Sequence, residues 1–458
     1  MNNWSKEAIF YHIYPLGLCG APLHNDLGAA PMPRLEELHG WLDHLQRLGV
    51  TALYLGPIFE STAHGYDTAD YYHLDRRLGT DEALARFSAA LHQKGMRLVL
   101  DGVFNHVGRD FWAFKDVREK GRDSSYCDWF YGLNFNRRSP YGDPFYYEGW
   151  NGHYDLVKLN LNNPAVREHL FGAVEFWIKE FNVDGLRLDA ADVLDHDFMQ
   201  ALSTFCRNQR PDFWLMGEVI HGDYRRWANP QTLDSVTNYE GYKSLYSSHL
   251  DKNYFELAYS VNRQYGEGGI YRDLTLYNFA DNHDVDRVVS RLANPAHLYP
   301  LYCLLFTLPG IPSIYYGSEW GIEGKRTASS DRALRPRLEL ASAAGKSPQS
   351  DLARVIERLA ALRHASPALK EGDYCQLVVK SEQFAFARRS KDRQENIIVA
   401  VNSSDKPASL EIDLRLAGLD GSTRITDLLN EGESFEVQNG RVCLESLWPQ
   451  WGRILRVE

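Results

Sequence analysis

The sequence lacks long apolar runs, basic clusters, paired-cysteine motifs and low-complexity stretches, and each absence removes a class of protein. No run approaches the roughly 18 apolar residues that a membrane-crossing helix needs, so no membrane partner is expected. The opening Met1-Asn2-Asn3-Trp4-Ser5-Lys6-Glu7 lacks the basic start and apolar stretch of a secretory signal. Cysteine is sparse and scattered: Cys19, Cys127, Cys206, Cys303, Cys375 and Cys443 show no CxxC or metal-type spacing. In a chain of 458 residues they read as reduced thiols of a cytoplasmic protein rather than a disulfide framework. A net charge of −11 and the lack of a lysine or arginine cluster argue against a nucleic-acid partner, and a neutral or small-molecule substrate fits better.

What is present is the composition of a globular protein, 44% hydrophobic and 24% charged, long enough for two or three domains. Aromatics reach 13%, with 11 Trp and 26 Tyr. Two readings of that excess stay open: a large aromatic core, or flat faces for sugar rings, whose C–H surfaces are apolar and edged by hydroxyls.

Short β-rich runs alternate with amphipathic helical stretches through four-fifths of the chain. Strands are expected at Ala8–Tyr14, Ala52–Ile58, Arg97–Asp101, Asp184–Asp189, Phe213–Glu218, Ser235–Asn238, Leu276–Asp281 and Ile311–Tyr316. A helix around Arg34–Leu48 carries leucines at three- and four-residue spacing, and another lies near Asp81–Lys94. Eight βα repeats predict an α/β fold with a parallel sheet closed as a (β/α)₈ barrel; a doubly wound open sheet is the competitor, without a Gly-rich phosphate loop to support it. The stretch after Asn105-His106, to about Asn160, has poor helical periodicity and is too long for a structureless loop, so it reads as a small inserted domain after the third strand. A helix over Asp351–His364 stops at Ser366-Pro367. Beyond it, β-type runs at Gln376–Val379, Phe384–Arg389, Asn396–Val401 and Ser409–Leu414 predict an antiparallel sandwich. The division expected is 1–106 and 161–367 for the barrel, 107–160 for the insert and 368–458 for the sandwich.

Active sites of such barrels lie at the C-terminal strand ends, where polar residues need a reason. The third strand leads to Asp101, Asn105 and His106, the fourth to Arg187 and Asp189, the fifth to Glu218, and the seventh to Asn282, His283 and Asp284. Each alone has an ordinary explanation: an Asp after a strand is often a helix cap, a lone His a structural group. Carboxylates, histidines and an arginine gathered at one end of neighbouring strands are costly unless the site uses them.

The segments Asp101–His106 (DGVFNH), Gly185–Asp189 (GLRLD), Gly217–Val219 (GEV) and Phe279–Asp284 (FADNHD) resemble the four ordered signature regions of the α-amylase family, glycoside hydrolase family 13. The resemblance covers essentially the whole chain. It implies a retaining hydrolase of α-glucosidic bonds with Asp189 as nucleophile, Glu218 as general acid/base and Asp284 as the third carboxylate. It further implies that Arg187 keeps the nucleophile ionised, that His106 and His283 hydrogen-bond the sugar, and that the sugar stacks on Tyr66 in His64-Gly65-Tyr66-Asp67, with Asp67 counted beside it. Physically, Arg187 should lower the Asp189 pKa, while crowding by carboxylates should keep Glu218 protonated.

Three departures narrow the substrate. Ala190-Ala191 stand where starch-cleaving α-amylases carry a Lys-His pair that serves an acceptor subsite and calcium. Asn105 matches a family calcium ligand, but no cofactor is expected to be required and calcium is not claimed. Leu156-Val157-Lys158-Leu159-Asn160 and Gly217–His221 resemble neopullulanases and cyclomaltodextrinases, yet the extra N-terminal β-domain of those enzymes is not expected, so any dimer must use another surface. In Ser330-Asp331-Arg332-Ala333-Leu334-Arg335-Pro336 the Arg before Pro is kept, but the acidic partner expected to help clamp the next sugar is out of register. Short or cyclic α-glucans are therefore the expected substrates. The alternatives are an endo-acting α-amylase on starch, a transglycosylase using the same site, and a non-catalytic sugar-binding or scaffold barrel, a reading that the three retained carboxylates oppose.

Overall fold

The computed structural model describes residues 4–344, 349–430 and 432–458. Eight strands form one parallel sheet: β1 (Phe10–Ile13), β2 (Ala52–Leu55), β3 (Arg97–Gly102), β4 (Gly185–Leu188), β5 (Trp214–Gly217), β6 (Ser235–Val236), β7 (Tyr277–Phe279) and β8 (Ile311–Tyr315). Each pairs with its neighbour in sequence, and β8 returns to β1 through Phe10↔Ser313. Between β6 and β7 the ring is closed by a single parallel bridge, Thr237↔Tyr277. The eight strands anticipated from the apolar runs are all present, and the fold is an α/β barrel.

The helices outside it follow their apolar spacing. Pro164–Phe181 starts where Asn163 accepts from the Ala165 N–H (2.9 Å) and where Pro164 fits the first helical turn, and it ends at Asn182 in the left-handed region (φ 52°). Its buried face includes Val166, Leu170, Val174, Trp177 and Phe181. Trp177 stacks on Phe59 at 4.2 Å and donates to the Tyr71 carbonyl (2.8 Å), fixing the loop that carries Tyr66. Arg34–Leu48 is not one α-helix. Arg34–Trp41 is 3₁₀ and only Leu42–Arg47 is α; the i+3 leucine spacing suits both geometries, so periodicity could not separate them.

Between β3 and Pro164 lies a three-stranded antiparallel sheet (His106–Gly108, Gly149–Trp150, His153–Lys158) with a helix, Trp112–Lys120, that the sequence reading missed. After residue 372 a six-stranded antiparallel sheet faces a two-stranded one, Ala408–Asp413 with Arg441–Leu447. Ala385, Ala387, Ile398, Leu410, Ile412, Leu444 and Leu455 fill the space between them. No described helix is long and apolar enough to cross a membrane.

Candidate active site

Strand register builds the site. In the parallel sheet Asp101 pairs with Arg187, and Arg187 with Met216, so these three share one layer. Side chains alternate faces with a period of two, so Asp189 and Glu218 stand together one layer higher, at the C-terminal rim. Arg187 is 3% exposed and serves three carboxylates: Nη1 lies 2.9 Å from Asp101 Oδ1 and 2.8 Å from Asp189 Oδ1, and Nη2 lies 2.8 Å from Glu218 Oε2. Asp101 also accepts from the Tyr54 (2.7 Å) and Tyr66 (3.1 Å) hydroxyls.

Arg187 lowers the Asp189 pKa as expected, but burial and two neighbouring carboxylates outweigh it. Burial pushes the Asp189 carboxyl well above the ordinary carboxylate range; Arg187 pulls it down, but Glu218 and Asp101 push it up again. One guanidinium divided among three carboxylates offsets only part of their mutual repulsion. Glu218 Oε2 is tied to Arg187 and to the Ala190 N–H (3.1 Å), while Oε1 faces the Tyr239 hydroxyl at 3.4 Å.

Ala190 explains itself through this contact. It sits in the left-handed region (φ 46°), a conformation that costs a non-glycine residue roughly 1–2 kcal/mol, and the turn aims its N–H at Glu218. Ala191 is fully buried against Gly217; a Cβ on Gly217 would lie 2.8 Å from Ala191 Cβ and 2.5 Å from Leu233. The two small residues after Asp189 thus let the ends of β4 and β5 close together.

His106 is buried, and loss of hydration pushes its pKa down to about 3. Its Nδ1 meets the Asn105 amide (3.1 Å), which leaves Nε2 as the N–H, 3.9 Å from Asp189 Oδ2 and without a hydrogen-bond partner. His283 contacts Asp284 through Nε2 (2.9 Å) and is hydrogen-bonded to the Tyr66 hydroxyl. Lost hydration in the cleft would raise the Asp284 carboxyl, but His283 and Arg335 hold it well below its usual range.

Asp67 lies beneath the cleft loop: 5% exposed, it accepts from the His64 N–H (3.1 Å) and shapes the turn that carries Tyr66. Three further residues, Tyr239, Tyr54 and His12, escaped the sequence reading as site residues, and the Arg335–Asp331 pair was read there only in part. Tyr239 adjoins Glu218, and Tyr54 holds Asp101. His12 stacks on Tyr54 at 4.2 Å. Arg335 reaches Asp284 (3.0 Å), the His283 carbonyl (3.0 Å) and the face of Tyr14. Asp331, out of register in the linear sequence, is carried by a 3₁₀ turn to 2.8 Å from Arg335. Of the three that were missed, only Tyr239, an aromatic just after a strand, carried a signal. The Lys158-Leu159-Asn160 variant points elsewhere: Lys158 pairs with Glu148 (2.7 Å) and Asn160 donates to the Asp128 carbonyl (2.9 Å), holding the insert together.

The Asn105 side-chain N–H donates to His106 Nδ1 and its main-chain carbonyl accepts from the Leu159 N–H; among the described residues no group of three or more His, Cys, Asp or Glu could hold a metal.

Comparison with known proteins agrees with this geometry. The alpha-amylase catalytic-domain family matches residues 35–349. A cyclomaltodextrinase from a Bacillus species is 31% identical over 421 residues, 87% of this chain and 73% of its own. An intracellular maltogenic amylase of Bacillus subtilis is 29% identical over 93% of this chain and 73% of its own. The ligand-free cyclic alpha-maltosyl-(1→6)-maltose hydrolase from Arthrobacter globiformis superposes with a TM-score of 0.82 at 27% identity, over 100% of this chain and 99% of that one. The chain belongs to the alpha-amylase family of glycoside hydrolases.

Proposed function

We propose that the protein is a retaining hydrolase of short or cyclic α-glucans, with Asp189 as nucleophile, Glu218 as acid/base and Asp284 gripping sugar hydroxyls. The observation that carries this is the Arg187 fork, which spans Asp189 and Glu218 at 2.8 Å each. A single guanidinium bridging both carboxyls supports the short separation of retaining sites, about 5–5.5 Å, over the wider spacing that leaves room for a water.

The substrate's glycosidic oxygen replaces Arg187 as the partner of a protonated Glu218. As Glu218 donates its proton to that oxygen, the C1–O bond breaks and Asp189 attacks C1, forming a glycosyl ester. Water then gives a proton to Glu218 and attacks C1, releasing Asp189 and a sugar of retained configuration. His106 offers its Nε2–H to a hydroxyl, Tyr66 gives the sugar a face, His283 and Arg335 hold Asp284 ionised, and Asp67 positions Tyr66. No cofactor enters these steps.

Substrate size follows from what flanks the pair. The rim carries exposed apolar side chains at Val193 (53%) and Ile220 (42%), and the insert sets Trp150 5.6 Å from the His106 ring. These favour a compact glucan, and they support as a second reading a sugar rather than water as acceptor. The relatives named for cyclomaltodextrins and cyclic maltosyl-maltose point the same way. We assign 1–106 with 161–367, 107–160 and 368–458 as the three domains. An intracellular relative and the free cysteines among the described residues support a cytoplasmic location.

The test is to treat Glu218→Gln with α-maltosyl fluoride, whose leaving group needs no acid. The protein should gain one glycosyl mass, mapped to the Asp189 peptide, and wild type should release products of retained configuration. An adduct elsewhere, or inverted product, refutes the assignment. A product profile on maltotriose, cyclodextrin, cyclic maltosyl-maltose, pullulan and starch then ranks the substrates.

A further inference from the structure

At the opposite end of the barrel, where Leu274-Thr275 and Pro309-Gly310 lead into β7 and β8, a cavity of about 480 Å³ opens beneath the C-terminal sandwich. Seven of its lining residues are cationic and three are acidic, in a protein whose net charge is −11. The ion pairs leave the imbalance in place. Asp373 alone faces three guanidiniums: Arg389 (2.8 Å), Arg393 (3.0 Å) and Arg272 (3.9 Å). Lys391 takes Glu371, and Lys370 reaches Glu7 only at 3.8 Å.

Two arginines here are buried: Arg388, which is one of the seven lining cations, and Arg363 behind it. Arg388 (1% exposed) donates to the carbonyls of Thr307 and Gly372, and Arg363 (0%) to those of Phe306, Leu369 and Gly310. Among the described residues neither has a carboxylate within ion-pair distance, and each keeps an unpartnered Nε. Burial pushes Arg363 down to about 9 and Arg388 to about 10, Arg363 further lowered by its neighbour Arg388. A purely structural reading is that they cap the helix Leu298–Thr307, whose end carries about half a negative charge. That offsets a minor part of two full charges. A buried charge with no carboxylate in direct contact is costly, and Gly310 and Gly372, whose carbonyls Arg363 and Arg388 bond, line the cavity.

We propose that this cavity binds a small phosphate-bearing anion, held by the Arg272, Arg389 and Arg393 guanidiniums and by the field of the buried Arg363–Arg388 pair. Guanidinium forks match phosphate oxygens in geometry, and the volume suits a phosphate or a sugar phosphate. The site is independent of the catalytic assignment, lying at the other end of the strands.

The experiment is calorimetric titration of the full chain with inorganic phosphate and with glucose 1-phosphate, at ionic strength held constant with chloride. Maltose serves as the neutral control. The double variant Arg272→Ala/Arg393→Ala is compared; both side chains sit on the cavity rim, so the fold and hydrolysis of maltooligosaccharides should stay as in wild type. Saturable binding of one phosphate per chain, weakened about tenfold or more in the double variant, supports the site. Equal affinity for the two ligands identifies the bare anion, and tighter glucose 1-phosphate identifies a sugar phosphate. A sugar entering the catalytic cleft would be insensitive to the two substitutions, and that outcome overturns the proposal. So does the absence of saturable phosphate binding, or chloride competing on equal terms; the arginines then only fasten sandwich to barrel.

Discussion

The two ends of the barrel solve opposite electrostatic problems with the same few residue types. At the C-terminal rim one buried guanidinium, Arg187, is divided among Asp101, Asp189 and Glu218. At the N-terminal end one carboxylate, Asp373, is divided among three guanidiniums, backed by two more that are buried. A balanced site would be the more stable, because paired charges hold each other. Each end is short of one sign of charge, and the shortage marks where charge from outside is expected: a proton at the rim, an anion at the base.

The contrast can be broken most severely at the rim. Asp189→Asn and Glu218→Gln should each lower kcat on a maltooligosaccharide at least about a thousandfold, with circular dichroism unchanged. Activity within tenfold of wild type would remove the assignment. Next, Arg187→Met strands three carboxylates and should cost about 3–5 kcal/mol in urea denaturation at neutral pH. Because those carboxyls then take up protons, the loss should shrink as the pH falls.

Wild-type stability should itself depend on pH. Burial holds His106 and His249 down to about 3, against an ordinary value of 6.5. Below 6.5 the unfolded chain binds protons that the fold refuses, so the contribution is full above 6.5 and fades toward 3. Asp189, raised, works in the reverse sense: its contribution is full below the ordinary carboxylate range and fades as pH rises through its elevated value. His249→Gln, remote from both charged ends, should make the acid slope of unfolding free energy shallower; an unchanged slope would mean that His249 does not titrate there.

Two smaller tests sharpen the comparison. Asp373→Asn removes the competing carboxylate at the base and should tighten phosphate binding; weaker binding would show that Asp373 organises the arginines. Ala190→Gly relieves the left-handed alanine beside Glu218 and should raise stability by up to about 1 kcal/mol, read as a shift in the denaturation midpoint.

The barrel was legible because its strands are buried apolar runs, and the site because Asp101, Arg187, Asp189 and Glu218 interrupt those runs at their ends. What stayed hidden depends on relations that no linear spacing carries. Asp331 meets Arg335 only because a 3₁₀ turn intervenes. The helix Trp112–Lys120 is masked because only Ala113, Phe114 and Val117 are buried on it among many charges, and the last four strands by short, polar-flanked apolar runs. Arg187 does lower the Asp189 pKa, as two residues suggested; what linear sequence could not carry is the burial of Asp189 and the register that delivers Asp101 and Glu218 to the same guanidinium, which together outweigh it.

The single bridge between β6 and β7 has a kinetic consequence. Asp189 stands on an arc where β3, β4 and β5 are laddered on both sides, whereas the strand after Glu218 is two residues long and meets the next through one bridge at Thr237 and the side chains of Ser235 and Asn238. Thr237 also receives the Val219 N–H (2.9 Å), so the seam is joined directly to the residue after Glu218. Amide hydrogens at 235–238 should therefore exchange with solvent faster than those of β4. The nucleophile is set in the stiff part of the hoop and the proton carrier beside its clasp, which leaves Glu218 free to release Arg187 when a sugar arrives.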